Sequence, residues 1–227
     1  MLVLTVFFSL LLGWLGWRQL ISRVEAANTA DWGSKWLNRL DGLNRIFCHR
    51  FHGLTGETIR LPEQGGVLVA SNHVSGLDPL LMIAASNRPL RFLIAREQYQ
   101  RWYLTWLFRA VGCIPVERST KPQAALMAAK KALDTGEVVA LFPHGTIHLD
   151  HHQPRKLKRG VVWLGKQTGA PIYPLRIDGV RGKGLTVLSV WIPSRVRLQS
   201  FPRIECSGQD DEVCMDQLQK NITRATG

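Results

Sequence analysis

Residues 67–78 read Val67-Leu68-Val69-Ala70-Ser71-Asn72-His73-Val74-Ser75-Gly76-Leu77-Asp78. The apolar run Val67 to Ala70 has the length and composition of a strand, and the residues after it put a histidine and a carboxylate at its mouth. That is the usual address for chemistry in an α/β domain. A base at His73 needs a partner that fixes its tautomer and stabilises the imidazolium, and Asp78 is near enough to reach back around a tight turn through Gly76. The same residues also read as a helix start, with Asp78 as N-cap and Pro79 at the first helical position. On this fragment the dyad and the cap both stand.

Outward from this stretch, apolar β-branched runs alternate with helical patterns from about residue 56, which predicts an α/β domain with a central mixed sheet flanked by helices. The expected strands are Val67–Ala70, Arg91–Ala95, Cys113–Val116, Val138–Phe142, Ile172–Ile177, Leu185–Trp191 and Val196–Leu198. Pro122 to Leu133, closing at Gly136, and Gly160 to Gln167, closing at Gly169, read as helices with glycine stops. The tail from Asp210 to Arg224 begins acidic and ends basic, as a helix dipole prefers.

The chain has 227 residues, is 45% hydrophobic and carries a formal net charge of +12, enough for one sizeable core plus an appendage and suited to an anionic partner. Leu2 to Trp17 is almost wholly apolar and ends in an aromatic and cationic edge, so residues 1–20 are expected to be a membrane anchor or a re-entrant arm. No positive charge precedes the apolar stretch, which argues against a cleaved signal peptide. Arg18, Arg23, Lys35 and Arg39 then place the rest of the chain on the cytoplasmic side of the membrane. In residues 21–55 the stripe Trp32, Trp36, Leu40, Leu43 and Phe47 has helical spacing and suits an amphipathic helix in the interface, or one packed on the domain formed by residues 56–227. Cys48, Cys113, Cys206 and Cys214 contain no Cys-x-x-Cys pair; they suggest neither zinc nor a disulfide framework and fit a reducing compartment.

Four blocks can be read together: Asn72-His73 with Asp78; Gly112-Cys113-Ile114-Pro115-Val116-Glu117-Arg118; Phe142-Pro143-His144-Gly145-Thr146; and Ala170-Pro171-Ile172-Tyr173-Pro174-Leu175. In order and spacing they resemble the glycerolipid acyltransferases of the PlsC type, over roughly residues 60 to 180. The resemblance implies a membrane-bound transferase that moves a fatty acyl group from a thioester, on coenzyme A or acyl carrier protein, to the hydroxyl of a lysolipid such as 1-acylglycerol-3-phosphate. His73 would be the general base and Asp78 its orienting partner, with no metal or organic cofactor. Asn72, Arg118, His144, Gly145 and Thr146 would bind substrate, Arg118 by holding phosphate oxygens. The partners implied are membrane phospholipids, the lysolipid acceptor and the acyl thioester, and nothing resembles a nucleic-acid module.

The third block departs from the family's Phe-Pro-Glu-Gly-Thr-Arg at two positions, His144 for glutamate and Ile147 for arginine. The second change removes a strong phosphate ligand, which turns the expectation toward a lysolipid other than lysophosphatidic acid. The loop goes on through His148, Asp150, His151 and His152, so five potential metal ligands lie within nine residues. Arg155, Lys156, Lys158 and Arg159 form a basic cluster beside it. Two other readings remain, a lipid hydrolase or thioesterase with Ser75 as nucleophile and a catalytically silent lipid-binding protein. No Gly-x-Ser-x-Gly elbow surrounds Ser75.

Overall fold

The computed structural model describes residues 2–117, 122–149 and 156–223 of the chain. Two helices come first, α1 (Leu2–Ala27) and α2 (Lys35–Arg50), followed by the short strand β1 (Thr55–Gly56) and by β2 (Val67–Ser71). Then come α3 (Asp78–Ala85), β3 (Leu90–Ala95), α4 (Arg96–Tyr99), α5 (Trp102–Ala110) and β4 (Ile114–Val116). The chain continues through α6 (Pro122–Asp134), β5 (Val138–Leu141), α7 (Gly160–Thr168), β6 (Ile172–Asp178), a 3-10 turn (Leu188–Trp191), β7 (Arg197–Ser200) and α8 (Asp211–Ile222).

The seven strands form one sheet in the order β1-β7-β6-β2-β5-β3-β4, parallel throughout except for the antiparallel pair β6 and β7. Strand alternation sorts the core into two layers. Val67 and Val69 of β2 and Val138 and Ala140 of β5 face the side covered by α2 and α3. Leu68, Ala70, Val139 and Leu141 face the side covered by α6, α7 and α8. Burial on both faces explains why β2 and β5 read as continuous apolar runs rather than alternating ones. Because β2, β5, β3 and β4 run parallel, their carboxyl ends and the loops after them share one edge of the sheet.

The N-terminal expectations are corrected. No helix among the described residues is long and apolar enough to cross a membrane. The apolar half of α1 stops at Trp17, and the charged half beyond it is docked on α2: a Cβ at Gly42 would lie 1.9 Å from the Val24 carbonyl oxygen, and Arg39 pairs with Glu25 at 2.8 Å. The cytoplasmic placement read from Arg18, Arg23, Lys35 and Arg39 is therefore not carried by a spanning segment. Nor is α2 a helix with one apolar and one charged face. It buries Leu37, Asp41, Gly42, Arg45 and Cys48, while Trp36, Leu40 and Leu43 stay exposed. What fixes this rotation is a buried ion pair, Arg45 to Asp41 at 2.6 Å, whose guanidinium also donates to the carbonyls of Ala84 (2.8 Å) and Ser86 (2.6 Å) at the end of α3.

Two further corrections concern the C-terminal third. The expected strand Leu185–Trp191 is a loop ending in the 3-10 turn, because Gly182 and Gly184 take positive φ and turn the chain back on itself. Cys206 and Cys214 are joined in a disulfide with Cα atoms 5.8 Å apart, tying the segment after β7 to α8. The two cysteines are eight positions apart, and the antiparallel bridge between Ile172 and Ile204 delivers Cys206 to the foot of α8. Cys48 and Cys113 remain buried free thiols, pushed up by that burial to about 12 and about 11 respectively.

The buried pair makes a test of how α2 is held. Replacing Arg45 with methionine leaves the Asp41 carboxylate without its cation, the Ala84 carbonyl without the guanidinium and the Ser86 carbonyl with the Thr29 hydroxyl at 3.5 Å in place of a 2.6 Å bond, so the expected loss is about 3–5 kcal/mol. Urea unfolding followed by circular dichroism measures it; a loss under about 1 kcal/mol would show that α2 is held mainly by apolar contact.

Candidate active site

The turn after β2 organises the site. Asp78 is fully buried, and its carboxylate is met by four donors from the residues just before it. Oδ2 accepts the backbone N–H groups of Val74 (2.6 Å) and Ser75 (2.9 Å) and faces Nδ1 of His73 at 2.8 Å, while Oδ1 accepts the Ser75 hydroxyl at 2.7 Å. Asp78 is the first residue of α3 rather than its cap. Leu77 takes the cap position, and the Asp78 side chain reaches backward into the turn. The reading of Asp78 as N-cap is thus corrected, while the proline does sit in the first helical turn and the carboxylate pairs with His73.

An acceptor on Nδ1 fixes His73 as the tautomer with hydrogen on Nδ1 and a lone pair on Nε2. Nε2 has no hydrogen-bond partner among the described residues, and the side chain is 19% exposed. The ring lies flat on Phe142, with centroids 4.0 Å apart and planes 13° from parallel. The stack leaves His73 little freedom to rotate, and Phe142 is there because β5 pairs with β2 along their whole length. Ser75 does not complete a hydrolase triad, since it is fully buried and its hydroxyl is on Asp78, not His73.

Asn72, expected to touch substrate, is instead a strap between strands. Its Nδ2 donates to the Ile177 carbonyl at 2.9 Å and its Oδ1 accepts the Ile177 N–H at 2.8 Å, which holds the end of β2 against β6. The loop after β5 turns at Gly145, with φ 76°, and is pinned to the dyad turn by the His148 N–H donating to the His73 carbonyl at 2.7 Å. Gly145, Thr146 and Ile147 form part of the cleft wall. His144 stands behind them, buried and stacked on His148 at 4.7 Å. Arg118 lies outside the described residues, as do Asp150, His151 and His152, the other members of the possible metal-ligand run.

His73 opens into a cleft of about 1290 Å³ whose wall is chiefly apolar. From the imidazole it runs past Leu80 and Ile83 of α3 and Phe92 and Ile94 of β3 to Leu104, Leu107 and Phe108 of α5. Lys158, Gly160 and Val161 line it on the α7 side, and Thr186, Val187, Val190 and Trp191 on the other. The α5 helix, the stacking of Phe142 and the 186–191 lip were not read from the sequence. The run Trp102 to Phe108 was a visible helical signal; the other two depend on strand pairing and on a loop path that no local pattern encodes. Chemically, the arrangement offers an aligned base at the polar end of a greasy slot.

Comparison with known proteins gives the chain's family. The family model described as Acyltransferase matches residues 55–178, more than half of the chain. The chain is 32% identical over 123 residues to a probable 1-acyl-sn-glycerol-3-phosphate acyltransferase of Mycoplasma pneumoniae, a match covering 51% of this chain and 46% of that protein. It is 25% identical over 120 residues to the 1-acyl-sn-glycerol-3-phosphate acyltransferase of Bacillus subtilis, covering 52% and 59%. The chain therefore spans about half the length of the curated relatives it matches. In fold it is similar to the crystal structure of PlsC, the 1-acyl-sn-glycerophosphate (LPA) acyltransferase of Thermotoga maritima, with a TM-score of 0.65 and 18% identity over 85% of this chain and 81% of that one. The His-Asp turn, the apolar cleft beside it and a family match across the strands that build both lead to one assignment: the chain belongs to the PlsC-type acyltransferase family.

Proposed function

We propose that this protein transfers a fatty acyl group from an acyl thioester, carried by coenzyme A or acyl carrier protein, to the hydroxyl of a lysophospholipid. The observation that carries the reading is the His73 imidazole, held by a buried carboxylate at 2.8 Å, at the polar end of a cleft with apolar walls. A lipid hydroxyl is a poor nucleophile at neutral pH, and an aligned base contributes about 10²- to 10⁴-fold. Nε2 takes the hydroxyl proton as the oxygen bonds to the thioester carbonyl carbon. The tetrahedral species then expels the thiolate, which recovers the proton from the imidazolium. Through this cycle Asp78 stays charged and hydrogen-bonded, so the imidazolium forms beside a fixed negative group. The apolar walls take the acyl chain, for which burial is worth about 0.8 kcal/mol per methylene.

The loop after β5 supports an acceptor other than lysophosphatidic acid, since Ile147 offers no guanidinium to a dianionic phosphomonoester. Around the cleft, Trp102, Tyr103 and Trp106 of α5 and Leu188 and Trp191 of the lip are exposed. Exposed aromatic and apolar side chains on both elements that border the cleft support a surface that meets lipid. The protein would thus work at a membrane surface with phospholipid as its partner, drawn there by the +12 charge.

The test is an assay of the purified protein with acyl-coenzyme A and a panel of lysophospholipids, with the diacyl product identified by mass spectrometry. Replacing His73 with alanine is expected to lower turnover at least about 10²-fold in a protein that still folds, with the melting temperature lowered because buried Asp78 loses one of its donors. Normal turnover in that variant sinks the mechanism. Asp78→Asn is expected to lower turnover and also stability, because the amide offers N–H where Oδ1 or Oδ2 now accepts, at a cost of about 1–3 kcal/mol. Ser75→Ala is expected to keep substantial activity. An acyl-serine trapped on the wild-type protein would instead establish the hydrolase. Product formation is expected to be unaffected by a chelator; loss with rescue by zinc would bring the His144 to His152 run into the chemistry.

A further inference from the structure

Ile147 stands where the family's third block carries an arginine, yet the acceptor of the proposed reaction carries a phosphate close to its reacting hydroxyl. In a lysophospholipid the two groups sit on neighbouring glycerol carbons, so a hydroxyl presented to His73 brings the phosphate into the same end of the cleft. We propose that Lys158 holds that phosphate. This inference rests on the acyl-transfer reading above and adds the residue that binds the acceptor.

Arg101 and Lys158 are the two cationic side chains among the described residues that line the cleft. Arg101, at the start of α5, donates to the Tyr103 hydroxyl at 3.0 Å. Lys158 stands at the other end, on the loop that carries Gly145 and Thr146. Its backbone N–H donates to the Pro143 carbonyl at 2.9 Å, and its side chain lies across Gly145, where an added Cβ would be 2.6 Å from Nζ. Gly145 thus gives the lysine its path, being in a positive-φ turn and having no side chain to stand in the way. Among the described residues no carboxylate pairs with the Lys158 ammonium, whereas Lys130, Lys166 and Lys220 each have one. The loop beneath it is bonded to the His73 backbone through His148. An ammonium with no carboxylate partner among the described residues, fixed to the loop that is fixed to His73, is placed to bind an anion on the substrate. A lysine binds as a point charge, without the two-pronged geometry of arginine, and accommodates a phosphodiester as readily as a phosphomonoester.

Lys158→Met keeps the aliphatic stem and removes the charge. With lysophosphatidylglycerol as acceptor, its KM is expected to rise about tenfold at low salt, with kcat and the KM for acyl-coenzyme A within about twofold, and the difference is expected to shrink at high salt. Monoacylglycerol, which lacks phosphate, is expected to be turned over by the two proteins with KM values within about twofold of each other. Adding Ile147→Arg to Lys158→Met is expected to restore the lysophospholipid KM. A rise confined to the KM for acyl-coenzyme A, absent with a phosphate-free thioester donor, would assign the charge to the donor's phosphates and overturn the proposal. Binding of lysophosphatidylglycerol, followed through tryptophan fluorescence, separates this inference from the reading it rests on. Equal affinities of wild type and Lys158→Met overturn the role of Lys158 whether or not acyl transfer occurs, and weaker binding by the variant supports it even if turnover fails.

Discussion

A carboxylate with no access to water must have its lone pairs met by donors, and Asp78 meets this requirement from three consecutive residues. His73, Val74 and Ser75 supply a ring nitrogen, two backbone amides and a hydroxyl. The turn can close in this way only if Asp78 begins a helix that aims the side chain backward, which Pro79 in the first turn favours. The helix in turn can lie there only if its far end is held, and the Arg45 guanidinium holds it by the Ala84 and Ser86 carbonyls. One buried charge thus fixes the local turn and a second fixes the helix that carries it. Both are costly to bury and each is held by at least three hydrogen bonds, so loosening either leaves an uncompensated charge in the core.

Parallel pairing does the rest of the positioning. With β5 in register against β2, Phe142 leaves its strand beside His73 and stacks on the imidazole, and the next loop passes close enough for His148 to bond the His73 carbonyl. With β6 on the other side, Asn72 ties the two strand ends together through Ile177. The base is therefore braced from both neighbouring strands, and the open side is the cleft. That places a polar, preorganised imidazole against an apolar volume, the combination that the proposed meeting of an alcohol and a fatty thioester would use to exclude bulk water.

The parts legible in the sequence were those encoded within one stretch of chain. Six of the seven expected strands lie within about two residues of observed ones, and the helices closing at Gly136 and Gly169 are in place, because burial on both faces and glycine stops are local signals. The His73 and Asp78 pair was legible for the same reason, being one turn apart. What escaped depends on contacts between distant segments. Apolar periodicity did not reveal the packed face of α2, because that face is set by Asp41, Arg45 and the carbonyls of α3, while Trp36 and Leu43 stay exposed. Asn72 looked like a site residue because it adjoins His73, but its partner is more than a hundred positions away. The disulfide was invisible to a search for close cysteine pairs, since the approach of Cys206 to Cys214 is set by the Ile172 to Ile204 bridge.

The segment from Gly182 to Trp191 shows how access and alignment are joined. It lines the cleft with Thr186, Val187, Val190 and Trp191, and it also braces the dyad turn. The Gly76 N–H donates to the Leu185 carbonyl at 3.0 Å and the Gly184 N–H to the Val74 carbonyl at 2.8 Å. The backbones come so close that a Cβ at Gly76 would lie 2.2 Å from the Thr186 carbonyl oxygen, so glycine is the residue this crossing admits. A side chain there would push the lip outward and take two hydrogen bonds from the turn that presents His73. Widening the cleft at this edge and misaligning His73 are consequently the same event, which in the proposed reaction ties the space for the lipid to the geometry for its deprotonation.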